Sequence, residues 1–343
     1  MPLISFHDAI AKSEKFKTRH VLLGNGFSIA CRPDIFVYGK LFDQADFSTL
    51  SPHVEKVFKQ LGTQDFERVI KLLRDSGKLL VAYEGDPELI SQLVEDADAL
   101  KSILVKAIAS SHPEWPGQIG EEEYKACRGF LANFEKVYTL NYDLLLYWAQ
   151  MHTDEGQKPT SDDGFRKSPN DYEAAYVVWE STSSHKQNTF FLHGALHIFD
   201  GDTEIQKYTW INTKRRLIEQ IGEALSKDLF PIFVSEGESD EKLERILHSA
   251  YLAKALRSFS DIGGCLFIHG HSLAPNDDHI LRLIERGKVE QVFIGLHGDL
   301  DSAGSKAILK RADEMELRRK EIPKRPALSV SYYDAKSANV WGH

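Results

Sequence analysis

The run Val21-Leu22-Leu23-Gly24-Asn25-Gly26-Phe27-Ser28 constrains the fold more than any other stretch of the 343-residue chain. An apolar run ending in two glycines one residue apart reads as a buried strand entering a sharp turn. Glycine lets the backbone bend there and be approached closely. The N–H groups of such a turn, with the start of the next helix, suit an anion such as a diphosphate. Gly24, Asn25, Gly26, Phe27 and Ser28 are therefore expected at a nucleotide site, Ser28 adding a hydroxyl. The dinucleotide fingerprint G-x-G-x-x-G fails at its last position, where Ile29 stands. No acidic residue follows a recognisable second strand about 20 positions on, so an ordinary dehydrogenase is disfavoured.

Six further runs have the β-branched or aromatic character of strands: Lys136–Leu140, Thr189–Leu192, Phe230–Ser235, Cys265–Gly270, Gln291–Leu296 and Ala327–Tyr332. Helical patterns lie between them. The expected fold is α/β, with a Rossmann-like, mostly parallel sheet of about six to seven strands and helices on both faces. One domain is expected over 1–343. About 110 residues separate the first two strands, too many for one crossover, so 45–130 reads as a helical insertion. Asp86-Pro87 is a helix start with an N-cap and a proline at the first helical position. Leu89, Leu93, Ala97, Leu100, Ile103, Leu104 and Ala107 follow at helical spacing. Another helix is expected from near Ser239, with Leu243, Ile246, Leu247, Ala250 and Leu256 on its apolar side. Residues 151–188 lack a clear period and read as an irregular loop or a small subdomain.

The formal charge of −9 argues against direct nucleic-acid binding. Arg318-Arg319-Lys320 sits among acidic residues and reads as solvated surface. Cys31, Cys127 and Cys265 are far apart and form no C-x-x-C pair, leaving neither a disulfide framework nor a zinc ribbon. No apolar run is long enough for a membrane span, and the first residues do not read as a signal peptide. A reduced, cytoplasmic protein is expected.

Three later strand ends carry polar groups toward the same edge of the sheet, outside which open α/β sheets bind ligands. They are Thr139-Leu140-Asn141-Tyr142-Asp143, Leu192-His193-Gly194, and His269-Gly270-His271-Ser272-Leu273 followed by Pro275-Asn276-Asp277-Asp278. Each alone has an ordinary explanation, an Asx turn or a hydrogen-bonded structural histidine. Together, in this order, they resemble the sirtuin family. That family has a Gly-Ala-Gly-x-Ser turn, matched at Gly24, Gly26 and Ser28. Its Thr-x-Asn-x-Asp strand end is matched at Thr139, Asn141 and Asp143, its His-Gly at His193-Gly194, and its Gly-x-Ser at Gly270 and Ser272. Pro33-Asp34 sits where the family's Pro-Asp-Phe-Arg follows the turn, although Ile35 and Phe36 replace its last two residues. The Thr-x-Asn-Tyr-Asp form and the missing zinc ligands make the chain look like the bacterial, defence-associated branch that destroys NAD.

The resemblance implies NAD as substrate, no metal, and a homo-oligomer switched on by a trigger. It implies that Gly24, Gly26 and Ser28 hold the diphosphate, Gly270 and Ser272 the adenosine side, and Asp143 the nicotinamide carboxamide. Asp34 would help order the nicotinamide pocket. The nicotinamide–ribose bond breaks with oxocarbenium character. Asn141, with one acceptor and two donors, suits a ribose hydroxyl and the attacking water, and His193 suits a general base. The rival readings are a non-catalytic NAD or ADP-ribose sensor, a protein deacylase, and a metal-dependent hydrolase, the last suggested by Asp277-Asp278-His279 and by the pairs His193 and His197 and His269 and His271.

Overall fold

The computed structural model describes residues 3–36, 42, 45–64, 66–110, 113–152, 160–169, 171, 173–180, 186–201, 203–209, 215–227, 229–234 and 238–342. Its strands are β1 (Arg19–Leu23), β2 (Lys136–Thr139), β3 (Phe165–Lys167), β4 (Tyr176–Trp179), β5 (Thr189–Phe191), β6 (Gly194–Asp200), β7 (Ile205–Tyr208), β8 (Pro231–Phe233), β9 (Gly263–His269), β10 (Lys288–Leu296) and β11 (Ser329–Asp334). Six of them form one parallel sheet in the order β11-β10-β9-β1-β2-β5. Counted along the chain, that order runs 6-5-4-1-2-3, the doubly wound arrangement of nucleotide-binding sheets. The fold is thus Rossmann-like, as expected. β1 lies at its centre with Val21, Leu22 and Leu23 fully buried, which is why it reads as an unbroken apolar run. The topology switches direction between β1 and β9, so the carboxyl ends of these two strands flank the crevice such sheets use.

The turn after β1 is stitched to the end of β9. The Gly24 and Gly26 amides donate to the carbonyls of His269 and Gly270 at 2.9 and 2.8 Å. A Cβ at Gly26 would lie 2.6 Å from the Gly270 Cα, and one at Gly24 2.7 Å from the Gly270 oxygen. Gly270 itself has φ +70, and a Cβ there would meet the Phe27 amide nitrogen at 2.5 Å. From the C-terminal end, Trp341 donates its indole N–H to the Phe27 carbonyl at 2.8 Å and packs against the Phe27 ring.

The run Phe230–Ser235 does not join the parallel sheet. β8 is the edge strand of a second sheet, ordered β3-β4-β7-β6-β8, whose pairings are antiparallel. An apolar run shows that a strand is buried but not which neighbour it pairs with, and Pro231 at its first position suits an edge. The stretch 151–188 contributes β3 and β4 to this sheet. The apolar run of β4 is short and stands among polar residues, and the sheet also holds internal polar partners: Lys207 on β7 is buried and paired with Asp163.

Between β1 and β2 lie the helices Pro52–Leu61, Phe66–Ala82, Pro87–Ser110 and Glu121–Leu131. Asp86 caps the third by accepting the Glu88 N–H, and Ala97, Leu100, Ile103, Leu104 and Ala107 are buried on it, while Leu89 is exposed. The helix expected from Ser239 is two helices, Ser239–His248 and Ala250–Ser260. Ser249 caps the second, and the break leaves Leu247 exposed. Arg319 is not solvated surface. It is buried, and its guanidinium donates to the carbonyls of Ile284, Glu285, Val289 and Pro326. Its fixed fork of donors closes the end of the helix Asp278–Arg286.

Gly62 and Gly270 separate conformational strain from crowding. Both have positive φ, but a Cβ at Gly62 meets nothing within 4 Å. Gly62→Ala is expected to cost about 1 kcal/mol and Gly270→Ala clearly more, about 2 kcal/mol or above, read by urea unfolding. Equal losses would mean that the contact between the two turns is not tight.

Candidate active site

The sheet brings its strand ends together at one edge. Asn141 follows β2, and its side-chain amide donates to the Gly24 carbonyl at 3.0 Å and to Ser28 Oγ at 2.9 Å. Ser28 Oγ in turn donates to Asp143 Oδ2 at 2.5 Å. Asp143 Oδ1 accepts the Leu145 N–H, opening the helix Leu145–Met151, and Thr139 Oγ1 accepts the Asn141 N–H. Gly24, Ser28, Thr139, Asn141 and Asp143 thus form one buried network. Burial raises the Asp143 carboxyl to about 6, against the pull of the Ser28 and Leu145 hydrogen bonds. Both Asn141 donors are spent within the protein, and its Oδ1 takes no hydrogen bond from any described residue.

The amides of the Gly24 turn differ from expectation. Those of Gly24 and Gly26 serve the β9 end, and those of Phe27 and Ser28 donate to the carbonyls of Gly24 and Asn25. A diphosphate here would meet other donors. Ser272 and Asn25 are exposed beside the turn, whereas the Phe27 ring is buried against Trp341. Asp34 lies in the short helix Pro33–Phe36, its side chain outside the described residues.

His193 sits in the turn between β5 and β6. Gly194 has φ +74, and a Cβ there would fall 2.0 Å from the Ile232 carbonyl of the adjoining β8, so glycine must follow the histidine. His193 does not bond the Asn141 network. Its Nε2 lies 3.0 Å from His279 Nε2, and His279 Nδ1 lies 3.3 Å from Ser239 Oγ. Beside this pair, Asp277 accepts from Lys242 at 2.9 Å through Oδ1 and from His271 at 3.0 Å through Oδ2. Burial pushes His193 down to about 3 and His279 to about 4, leaving both rings neutral. The two groups are linked through His271, whose Cβ lies 2.7 Å from where a Cβ on Gly24 would be.

The sequence marks His193, and marks His279 only as part of a metal candidate, while Ser239 and Lys242 beside them carry no signal of their own. The signal available was Asp277-Asp278-His279 immediately after the Gly270 segment. His197 is buried between the Tyr147 and Phe191 rings, and His269 is bonded to the Tyr333 hydroxyl. Among the described residues, neither belongs to a group of three or more side chains that could hold a metal ion. Ligand atoms of His193, Asp277 and His279 do lie within 4.8 Å of one another. The Lys242 ammonium, buried against Asp277, opposes a divalent cation there. A cavity of about 1270 Å³ opens beside this group. Its lining includes Phe58, Phe66, Phe230, Asn276 and Val234, and the Val234 N–H donates to the His193 carbonyl.

Asp143 gives the site a pH signature. Its carboxyl is raised in the folded chain, so its favourable contribution is complete below about pH 4 and is lost as pH rises through about 6. Asp143→Asn cannot ionise. Between pH 4 and 7 the parent chain should therefore lose on the order of 3 kcal/mol more unfolding free energy than this variant. Parallel pH dependences in urea titrations would show that Asp143 is ionised at no cost.

Solved structures similar to the chain include one titled "Structural Basis for the Mechanism and Regulation of Sir2 Enzymes", 12% identical, covering 91% of this chain and 98% of that one at a TM-score of 0.36. Another, titled "The Structural basis of Sirtuin Substrate Affinity", is 14% identical, with coverages of 91% and 99% and a TM-score of 0.38. No curated protein matches the sequence. No helix among the described residues is long and apolar enough to cross a membrane. The family model described as Domain of unknown function (DUF4917) matches residues 21–341, from β1 to the Trp341 beneath the Gly24 turn, and the chain belongs to that family.

Proposed function

We propose that the chain cleaves the nicotinamide–ribose bond of NAD with water, giving nicotinamide and ADP-ribose, in the setting of bacterial antiphage defence. The observation that carries this reading is the fastening of Asn141 to Gly24 and Ser28 at the switch point, with its Oδ1 left for a ligand. That position of Asn141, at the edge where doubly wound sheets take nucleotides, supports the reading.

The leaving pyridinium takes the C–N electron pair and departs as neutral nicotinamide, so no strong acid is needed. The incoming water forms the new C1′–O bond and releases its proton to bulk solvent after attack. The work left to the protein is to hold the ribose and the water against C1′. Asn141 Oδ1 accepts a hydrogen bond from one of them. In this reading Asp143 takes the nicotinamide side and His193 the ribose side.

A non-catalytic sensor is the second reading. It is favoured by the internal pairing of the Gly24 turn, which needs no ligand to be complete. Incubation of the purified chain with NAD, followed by chromatography of nicotinamide, separates the two. Asn141→Ala and His193→Ala should each lower release, Asn141→Ala by about 100-fold and His193→Ala by at least about tenfold. Release retained in both variants would remove the site assignment. NAD bound without release would leave the sensor.

A further inference from the structure

The two imidazoles His193 and His279 lie end to end and nearly coplanar, with ring planes 20° apart, centroids 5.2 Å apart and Nε2 atoms facing at 3.0 Å. Two neutral rings at that distance share one proton, so one donates and the other accepts. The far side of His279 decides which. Ser239 Oγ lies 2.7 Å from the His279 backbone nitrogen, which can only donate to it. The same oxygen lies 3.3 Å from His279 Nδ1, the one acceptor the Ser239 hydroxyl has among the described residues. Ser239 is buried, and an unpaired hydroxyl proton there is costly. The hydroxyl therefore donates to Nδ1, the His279 proton sits on Nε2 and is given to His193 Nε2, and His193 carries its own proton on Nδ1.

The neighbouring histidine obeys the same accounting. His271 Nδ1 accepts the Leu273 N–H at 2.9 Å, so its proton is on Nε2 and goes to Asp277. Lys242 bonds the other oxygen, so each Asp277 oxygen has a partner outside the histidine pair.

We propose that Ser239 and His279 lock His193 in the Nδ1–H form, so that it offers a bound nucleotide a hydrogen-bond donor and not a basic lone pair. The acceptor it fits is a ribose hydroxyl or phosphate oxygen. His193 Nδ1 takes part in no hydrogen bond with a described residue, which leaves its proton for that use. His193 is then a positioning group for the ribose, and His279 and Ser239 act through it. The lock itself stands on the hydrogen bonds alone, while its use in turnover rests on the NAD-cleavage reading.

The test is long-range ¹H–¹⁵N NMR of the histidine rings in the full chain at neutral pH, with His193→Asn and His279→Asn to assign them. The expected spectrum has His193 protonated at Nδ1 and His279 at Nε2. Ser239→Ala should give mixed forms of both rings, and Ser239→Thr should restore the single one. With NAD, His193→Asn, whose side-chain N–H stands near the place of Nδ1–H, should exceed His193→Ala by at least about tenfold in kcat/KM, mostly through KM. A bare Nδ1 on His193 would overturn the lock and return the residue to the role of base. Stoichiometric bound metal with no proton on either Nε2 would overturn it too. If the chain releases no nicotinamide, the NAD reading falls and the ring spectra still decide the lock.

Discussion

Two segments some 240 residues apart in sequence, the turn after β1 and the turn after β9, meet backbone against backbone through Gly24, Gly26 and Gly270. The rest of the edge depends on this contact. With no side chains between them, the two turns approach closely enough to exchange amide-to-carbonyl hydrogen bonds, which fixes the Gly24 carbonyl and Ser28. Those two atoms groups hold Asn141, and Ser28 holds Asp143. On the other side the same contact fixes His271, and through it Asp277. A glycine-rich turn that looked like a cradle for phosphate serves first as a joint between strands, because its amides are consumed in making the joint.

The parallel sheet was legible because it is buried on both faces: β1, β2, β5, β9, β10 and β11 each read as an apolar run, whatever the partner. The second sheet was not. β3 and β7 are short and polar, with Lys207 burying a charge on β7, and the four-residue apolar run Tyr176–Trp179 of β4 stands isolated between polar stretches. Arg319 was misread for a related reason. Sequence shows a charge among charges, and only the folded chain supplies the four carbonyls that make burial tolerable.

The site divides in the same way. Asn141, Asp143, His193 and Gly270 stood out because strand ends and small turn residues mark them locally. His279, Lys242 and Ser239 lie on helices, where a lone polar residue carries no periodic signal. What brings them to His193 is the packing of the helix Ser239–His248 against the segment that follows β9, a long-range fact. Asp277 and Lys242 illustrate the limit: 35 residues apart, they are a charge run and a helix surface in sequence, and a buried ion pair in the structure.

That ion pair is also the reason proton positions matter here. Removing a carboxylate and an ammonium from water costs several kcal/mol, and packed apolar residues of the same volume would serve stability as well or better. Stability alone is therefore a weak account of its presence beside His193. Its effect on the neighbouring rings is specific. Lys242 and His271 take the two oxygens of Asp277, which accepts no hydrogen bond from the histidine pair, and burial outweighs the pull of its charge on both rings. The pair is left neutral, and the direction of its shared proton passes to a single serine. A carboxylate bonded directly to His279 would instead fix the proton on the side facing it and free a lone pair on His193. The structure places the carboxylate one residue away, on His271, and places a hydroxyl on His279, and that exchange of partners is what turns a histidine of ordinary basic type into a donor.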